Sequence, residues 1–240
     1  MRAVILAAGD GGRRGPQTST LPKPLIPVAG RPLSEFTLDA LVAAGVSEVV
    51  VVTGHLEDQL RPAVEASAAG RVPVTFVANP RFHSGASLSL RAAREACGDA
   101  PFLLLMADHL LSAAIVQALM TAARAEGESL VAADSEPWPH DYVDEATRLR
   151  FAPGTALVTA IGKHVSPWDA LDTGAFLLAP EAWEAVDASP EDCELSVIFG
   201  ELARRGMLRA VDVSGASWYD VDTAADLEAA RRLIAAGEAR

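Results

Sequence analysis

Residues Ala3-Val4-Ile5-Leu6-Ala7-Ala8-Gly9-Asp10-Gly11-Gly12-Arg13-Arg14-Gly15-Pro16 decide the fold class. The first six residues form a short apolar run, which has the length of one buried strand. The glycines and the proline that follow cannot continue a strand. The sequence therefore predicts an N-terminal strand that ends in a loop whose backbone can approach a ligand closely.

The segment from Gly11 to Ser34 has an unusual charge pattern. It contains no carboxylate but carries four cations, which are Arg13, Arg14, Lys23 and Arg31. Acidic residues make up 32 of the 240 positions, so composition alone would place about three in a stretch of this length. Glycine backbone N–H groups can approach phosphate oxygens while the cations neutralise their charge. We therefore predict a site for a polyanion, most simply a nucleoside triphosphate.

Two common phosphate loops are excluded by single residues. A Walker A loop needs Lys after its last glycine, and Pro16 stands there; a dinucleotide loop needs a third glycine where Arg14 stands. A mobile surface loop is the other interpretation. It does not explain why Lys23 lies between two prolines, which restrict how far its backbone can move. We favour the binding site.

Composition limits the class of protein. A chain of 240 residues, half of them hydrophobic, can form one large domain with a sizeable core. The net charge of −12 argues against nucleic acid as a partner. No apolar run approaches the roughly 18 residues that span a bilayer, and the N-terminus does not resemble a signal peptide. We expect a cytoplasmic protein without membrane insertion, whose alanine-rich helices permit a homodimer.

Strands and helices alternate in the first half of the chain. Further strands are predicted at 48–53, 72–77, 102–106 and 129–133, and helices at 32–44, 55–69, 84–97 and 112–126. This alternation is typical of an α/β fold, a Rossmann-like and mainly parallel mixed sheet with helices on both faces. Ligands of such sheets bind at the carboxyl ends of the strands.

The pattern changes after residue 134. A hairpin is predicted from 148–151 and 156–161 around Pro153-Gly154, followed by a strand at 171–178. A helix at 195–205, a strand at 208–213 and a closing helix at 222–236 complete the chain. We interpret the hairpin region as a small β-rich insertion packed on the first half, within a single domain.

Two carboxylates are candidates for a metal site. Asp108 follows the strand at 102–106, where a carboxylate can hold Mg²⁺ against phosphates; a turn or cap role is the alternative, and the nearby loop favours the metal. Asp220 and Asp222 share one side of an extended segment before the last helix. Asp222 or Thr223 stands where that helix needs a cap. We assign Asp220 to the metal and Asp222 to the helix cap, with a direct role of Asp222 in the site as the alternative.

The start of the helix at 84–97 is a weaker candidate. Gly85 and Ser87 stand where backbone N–H groups could meet a nucleobase or a phosphate, and simple capping explains them equally well. The histidines form no zinc-type pair, and the chain has no nucleophile elbow. Phosphoryl transfer needs neither, because positioning and charge neutralisation are enough.

The glycine-rich loop, Pro22-Lys23-Pro24-Leu25 and Pro27-Val28-x-Gly30-x-Pro32-Leu33 resemble the signature of nucleotidyltransferases that activate sugar phosphates. Further motifs resemble the CTP:inositol-1-phosphate cytidylyltransferase family in the same order along the chain. These motifs are Met106-Ala107-Asp108-His109, Asp144-Glu145-Ala146-Thr147, Ile161-Gly162-Lys163, Trp168-Asp169-Ala170-Leu171-Asp172-Thr173-Gly174 and Trp218-Tyr219-Asp220-Val221-Asp222-Thr223.

The resemblance implies a site and a reaction. It implies that CTP is bound by Lys23, Gly85, Ser87 and the loop residues Leu6, Ala7, Ala8, Gly9, Gly11, Gly12 and Arg13. Arg13 on the β- and γ-phosphates and Lys23 on the α-phosphate would be the catalytic residues. Mg²⁺ would be held by Asp108 and Asp220, and inositol 1-phosphate by Lys163, Asp172, Thr173 and Gly174. The products would be CDP-inositol and pyrophosphate.

The resemblance also suggests a division of labour and leaves alternatives. Residues 1–134 would form the nucleotide-binding half and residues 135–240 the acceptor-binding and closing half. Other phosphorylated acceptors fit the same fold: a hexose 1-phosphate, phosphocholine, a phosphonate or molybdopterin. A non-catalytic nucleotide-binding regulator is the alternative of a different class, and the joint presence of Arg13, Lys23, Asp108 and Asp220 argues against it.

Overall fold

Strand β1 (Arg2–Leu6) lies inside the main sheet, as its apolar sequence predicts. The computed structural model describes residues 1–11, 20–137 and 146–235. In it, β1 pairs in parallel with β4 (Glu48–Thr53) on one side and with β6 (Phe102–Met106) on the other. β5 (Val74–Ala78) continues the parallel sheet beyond β4.

A strand that runs opposite to β6 joins the second half of the chain to the sheet. β11 (Ala170–Leu178) is antiparallel both to β6 and to β8 (Ser129–Asp134), and β12 (Leu208–Asp212) is parallel to β8. β9 (Arg148–Phe151) and β10 (Val158–Gly162) form the predicted antiparallel hairpin, which pairs with the start of β11. The predicted mixed, mainly parallel sheet is therefore confirmed.

Helices cover both faces of this sheet, and successive residues of a strand pack into apolar cores on opposite faces. In β6, Leu103 packs on one face and Leu104 on the other, and neither is exposed. The first face is covered by α1 (Leu33–Ala43), α2 (Glu57–Ala68) and α5 (Ala113–Thr121). The second is covered by α3 (Ala86–Ala92), α4 (Arg94–Cys97), α6 (Ala182–Ala188) and α7 (Leu195–Arg204).

Small elements surround the sheet edge where ligands are expected. β7 (His109–Leu111) pairs antiparallel with β13 (Trp218–Asp220), and β2 (Pro27–Val28) pairs with β3 (Arg31–Pro32). The last helix, α8 (Ala224–Ala235), packs against β2, β13 and α1 through a separate apolar cluster.

Two predicted helices differ from the structure, and one helix was not predicted. The helix expected at 84–97 breaks at Ala93 into α3 and α4. The helix expected at 112–126 ends at Thr121, because the chain beyond it offers no large apolar side chain to bury. Helix α6 was not predicted. Within the described ranges, no helix combines the length and the apolar character that crossing a bilayer requires.

The sheet core gives a first prediction. Leu104→Ala should lower the free energy of unfolding by about 3 kcal/mol, because it leaves a cavity between β6 and the helices above it. Val197→Ala is the control: this side chain is 45% exposed, so its loss should change stability by at most about 0.5 kcal/mol. Urea unfolding measures both values, and equal losses would contradict the described core.

Candidate active site

Most of the described residues that were predicted for the site lie at one edge of the sheet. β1 and β6 end there, which brings the loop after Leu6 close to Asp108. Because β11 runs in the opposite direction, it starts at the same edge and places Asp172 there. The β7–β13 ladder sets Asp220 directly opposite His109.

Two adjoining cavities open along this edge. Both are lined by Asp108, Asp222 and Glu194. The first is also lined by seven residues predicted to bind nucleotide: Leu6, Ala7, Ala8, Gly9, Gly11, Lys23 and Gly85. The second is lined by Lys163, Asp172, Gly174 and Asp220 among the residues predicted to bind the acceptor or metal. Gly12 and Arg13 lie outside the described residues, so their roles stay predictions.

Lys23 lies between Asp108 and Asp222, the two aspartates that line both cavities. It starts a 3-10 turn, Lys23–Leu25, and is only 7% exposed. Its Nζ donates to Asp108 Oδ2 at 2.7 Å and to Asp222 Oδ1 at 2.5 Å. Burial alone would lower the Lys23 pKa, but these carboxylates outweigh it and raise the pKa above its ordinary value. The ammonium is therefore charged at neutral pH.

The assignment of Asp222 to the helix cap was wrong. The N-cap of α8 is Thr223, whose Oγ1 accepts from the backbone N–H of Asp226 at 3.2 Å. The Asp226 carboxylate in turn accepts from the backbone N–H of Thr223 at 2.5 Å, which completes a reciprocal capping box. The alternative, a direct role of Asp222 in the site, fits its contact with Lys23 instead.

His109 joins the carboxylates into one cluster. Its Nδ1 lies 2.8 Å from Asp108 Oδ1 and 3.9 Å from Asp220 Oδ1. Burial alone would lower the His109 pKa, but the Asp220 charge and the hydrogen bond to Asp108 raise it to about 9. Burial alone would likewise raise the Asp108 pKa, and the Lys23 and His109 charges hold it well below its usual value.

The cluster has the donor set of a divalent cation site. Ligand atoms of Asp108, His109 and Asp220 all lie within 4.8 Å of one another. Asp220 Oδ1 is buried and has no hydrogen-bond partner among the described residues. Burial, followed by the Asp108 and Asp222 charges, raises the Asp220 pKa to about 6. A cation would satisfy this carboxylate, and paired carboxylate oxygens are ligands that hard divalent ions prefer.

The predicted acceptor residues separate according to the pleat of β11. Asp172 and Gly174 face the second cavity, and Asp172 Oδ1 accepts from the Gly174 N–H at 2.8 Å. Burial raises the Asp172 pKa to about 6. Thr173 between them points to the other face, where its buried hydroxyl donates to the Ala132 carbonyl at 3.0 Å. Its side chain lines neither cavity.

Gly85 and Ser87 have different surroundings. Gly85 lines the first cavity and has a φ of +119°; a Cβ on it would come within 3.0 Å of the Asp192 backbone. Ser87 is fully buried behind the cavity. Its hydroxyl donates to the Glu191 carbonyl at 2.7 Å and accepts from the Cys193 N–H at 2.9 Å. Ser87 therefore ties α3 to the segment before α7, and Ser89 lines the cavity instead.

The sequence analysis did not assign Glu194 or His109 to the cleft, and it gave Asp222 a place there only as an alternative. Glu194 carries no local signal, since a charged residue at a helix start is common. His109 follows Asp108 directly, and its position in the sequence fits a packing role as well as a role in the site. Asp222 had a usable signal, because it lies two positions from Asp220 in an extended segment and so on the same side of it. The two lysines of the whole sequence, Lys23 and Lys163, both line the cleft.

The fold and the cleft define a nucleotidyltransferase. Residues 3–143 match the model of the MobA-like NTP transferase domain, and the chain belongs to this family.

Comparisons that cover almost the whole chain agree with this family. A bifunctional IPC transferase and DIPP synthase of Rubrobacter xylanophilus is 36% identical over 97% of the chain and 51% of that protein. A CMP-5'-(3-aminopropyl)phosphonate synthase of Streptomyces rubellomurinus is 34% identical over 94% of the chain and 37% of that protein. The chain thus spans about half the length of these curated relatives, or less.

A solved structure has the same fold. The inositol-1-phosphate CTP transferase from T. maritima superposes with a TM-score of 0.85 over 98% of the chain and 94% of that protein, at 21% identity.

The packing of Gly174 on His109 gives a second prediction. A Cβ on Gly174 would lie 2.6 Å from His109 Cδ2, and the residue has a φ of +77°. We expect Gly174→Ala to lower the free energy of unfolding by about 3 kcal/mol, from backbone strain plus this clash. Gly154→Ala has a similar φ of +70° with no described atom within 4 Å, so it should cost only about 1 kcal/mol. Thermal unfolding compares them; equal costs would contradict the tight packing of His109.

Proposed function

We propose that the protein transfers CMP from CTP to inositol 1-phosphate and releases CDP-inositol and pyrophosphate, with Mg²⁺ as cofactor. The observation that carries this proposal is the charged, buried Lys23, which lines the first cavity and contacts Asp108 and Asp222, two of the carboxylates that line both cavities. Two adjoining cavities with a cation beside their shared carboxylates are suited to joining two phosphorylated ligands.

The choice of substrates is supported by the relatives. The T. maritima structure of the same fold is an inositol-1-phosphate CTP transferase. The Streptomyces relative makes a CMP-linked phosphonate, which supports a cytidine nucleotide and makes a phosphonate the second candidate acceptor. Both acceptors present an anionic phosphorus group, which Lys163 at the rim of the second cavity can neutralise.

The first cavity suits the nucleotide. Ala7, Ala8, Gly9 and Gly11 line it. The Ala7 N–H donates to the Val52 carbonyl, so backbone N–H groups after Ala7 would be the ones to meet phosphate oxygens. We assign the β- and γ-phosphates to Arg13 and the α-phosphate to Lys23, with Gly12 as part of the loop that binds the nucleotide. Phe82, Gly85, Ala86 and Ser89 line the remainder of this cavity, where the nucleoside would lie.

The second cavity suits the acceptor. Lys163 is exposed at its rim and would receive the phosphate, while Asp172 would accept hydrogen bonds from the alcohol. The acceptor phosphate is largely ionised at neutral pH, since its second pKa is about 6. Its oxygen can therefore attack without a protein base.

The reaction forms one bond and breaks one. The acceptor phosphate oxygen attacks the α-phosphorus in line, and the bond from that phosphorus to the pyrophosphate oxygen breaks. Lys23 neutralises charge on the transferring group throughout. Asp108 and Asp220 would hold Mg²⁺, which when bound neutralises phosphate charge.

Pyrophosphate release tests the substrates. We expect release with Mg²⁺ when CTP is combined with inositol 1-phosphate, and little with ATP, GTP or UTP or with glucose 1-phosphate, phosphocholine or 2-aminoethylphosphonate. Release with CTP and a phosphonate, and not with inositol 1-phosphate, would show that the acceptor is a phosphonate. No release with any of these pairs, from protein that binds CTP, would contradict catalysis and favour a nucleotide-binding regulator.

The two lysines should affect different kinetic constants. Lys23→Met should lower kcat about 100-fold or more, because charge on the transferring group loses its partner. Lys163→Met should raise the KM for the acceptor about 10-fold and leave the KM for CTP unchanged. Arg204→Gln is the control, since this side chain is 72% exposed and lines neither cavity. Initial-rate measurements give these constants. Full activity of Lys23→Met would refute the role of Lys23 in the transfer step.

A further inference from the structure

We propose that Asp222 is a positioning residue that keeps the Lys23 ammonium in the cleft when a divalent cation takes over Asp108. The proposal rests on the proposed function, because that function places the cation on Asp108 and Lys23 on the nucleotide. It assigns a task to a carboxylate that the helix start does not require.

The contacts of Lys23 show a cation shared between two carboxylates. Asp108 lies 85 positions and Asp222 199 positions further along the chain, so only the folded protein brings the three together. The Asp222 side chain is 14% exposed and that of Asp108 33%. The contact of Lys23 with Asp222 is therefore the one better shielded from water and salt.

Asp108 has two partners that compete for its carboxylate, Lys23 and a divalent cation. It accepts from Lys23 through Oδ2, and it belongs with Asp220 to the group that fits a divalent cation. A divalent cation bound there would repel the neighbouring ammonium and compete for its partner. A buried ammonium that loses its partner is costly, and the cost drives the side chain out of the site.

Asp222 gives Lys23 a second carboxylate partner. When Asp108 binds the cation, the Asp222 carboxylate keeps its contact with Lys23. The lysine therefore stays buried and charged beside the nucleotide cavity. The group that fits a cation among the described residues comprises Asp108, His109 and Asp220, and does not include Asp222.

The cap of α8 does not depend on the Asp222 carboxylate. The start of α8 is capped by Thr223 and Asp226. The Asp222 side chain instead points to the cleft, where it lines both cavities.

The chain offers a direct probe of Lys23, because it contains two lysines. In protein labelled with ¹⁵N-lysine, the full chain gives two Nζ signals. A buried, ion-paired ammonium exchanges its protons slowly and stays visible in a proton–nitrogen spectrum near pH 6, whereas an exposed one exchanges them quickly. The spectrum is recorded before and after addition of Mg²⁺ alone.

We expect the wild-type Lys23 signal to persist when Mg²⁺ is added. In Asp222→Asn the signal should be visible without Mg²⁺, because Asp108 still holds the lysine, and should be lost with it. Asp222→Glu should restore persistence. Glu194→Gln removes a carboxylate that lines both cavities, as Asp222 does, but is not among the carboxylates that act on Lys23, and its Lys23 signal should behave like that of the wild type.

Three outcomes would overturn the proposal. In the first, Mg²⁺ abolishes the wild-type signal. In the second, Asp222→Asn keeps its signal in Mg²⁺. In the third, Asp222→Asn loses the signal before Mg²⁺ is added, which would make Asp222 the permanent anchor rather than the one that takes over.

Kinetics provide the second measurement and separate this proposal from the proposed function. Asp222→Asn should lower kcat about 10-fold with little change in the KM of the acceptor, because Lys23 is no longer held in place. In a Lys23→Met background the same change should have almost no further effect. Additive losses would show that Asp222 acts without Lys23, for example as a metal ligand. Wild-type protein without turnover would contradict the proposed function, while the NMR result would still decide the role of Asp222.

Discussion

A buried ammonium must have a carboxylate beside it, and this requirement joins three distant parts of the chain. Lys23 comes from the loop after the first strand, Asp108 from the end of β6 and Asp222 from the segment before the last helix. If both carboxylates were absent, the buried lysine would bear the full cost of desolvation. The cleft is therefore held together by charge compensation as much as by the apolar core beneath it.

The sheet explains why these residues can meet. Parallel strands end at the same edge, so β1 and β6 deliver the loop and Asp108 side by side. The reversed direction of β11 adds Asp172 at that edge, and it also separates Asp172 and Gly174 from Thr173 by the pleat. The absence of a Cβ at Gly174 then makes room for His109, which links Asp108 to Asp220. Backbone direction and one missing methyl group thus shape the acceptor side of the site.

Much of this arrangement could be predicted from the sequence because its signals are local. Apolar runs located β1, β4 and β6, and the glycines and prolines marked the loop that carries Lys23. Strands of three residues, such as β7 and β13, are too short to show a period of their own. The contact of Lys23 with Asp222 and the inward turn of the Ser87 hydroxyl depend on residues about a hundred or more positions away. Local pattern cannot show such pairings, so Asp222 was first assigned to the nearest local task.

The distance in sequence between Lys23 and Asp222 also has a consequence during synthesis. The carboxylate follows the lysine by 199 positions, which a ribosome covers in roughly 10 to 40 s at about 5–20 residues per second. During this interval Lys23 has one of its two carboxylate partners at most, because only Asp108 has been made. The nucleotide loop can form early, but the pairing of Lys23 with both carboxylates waits until residue 222 has left the ribosome. A nascent chain stopped before β13 would therefore hold Lys23 through Asp108 alone.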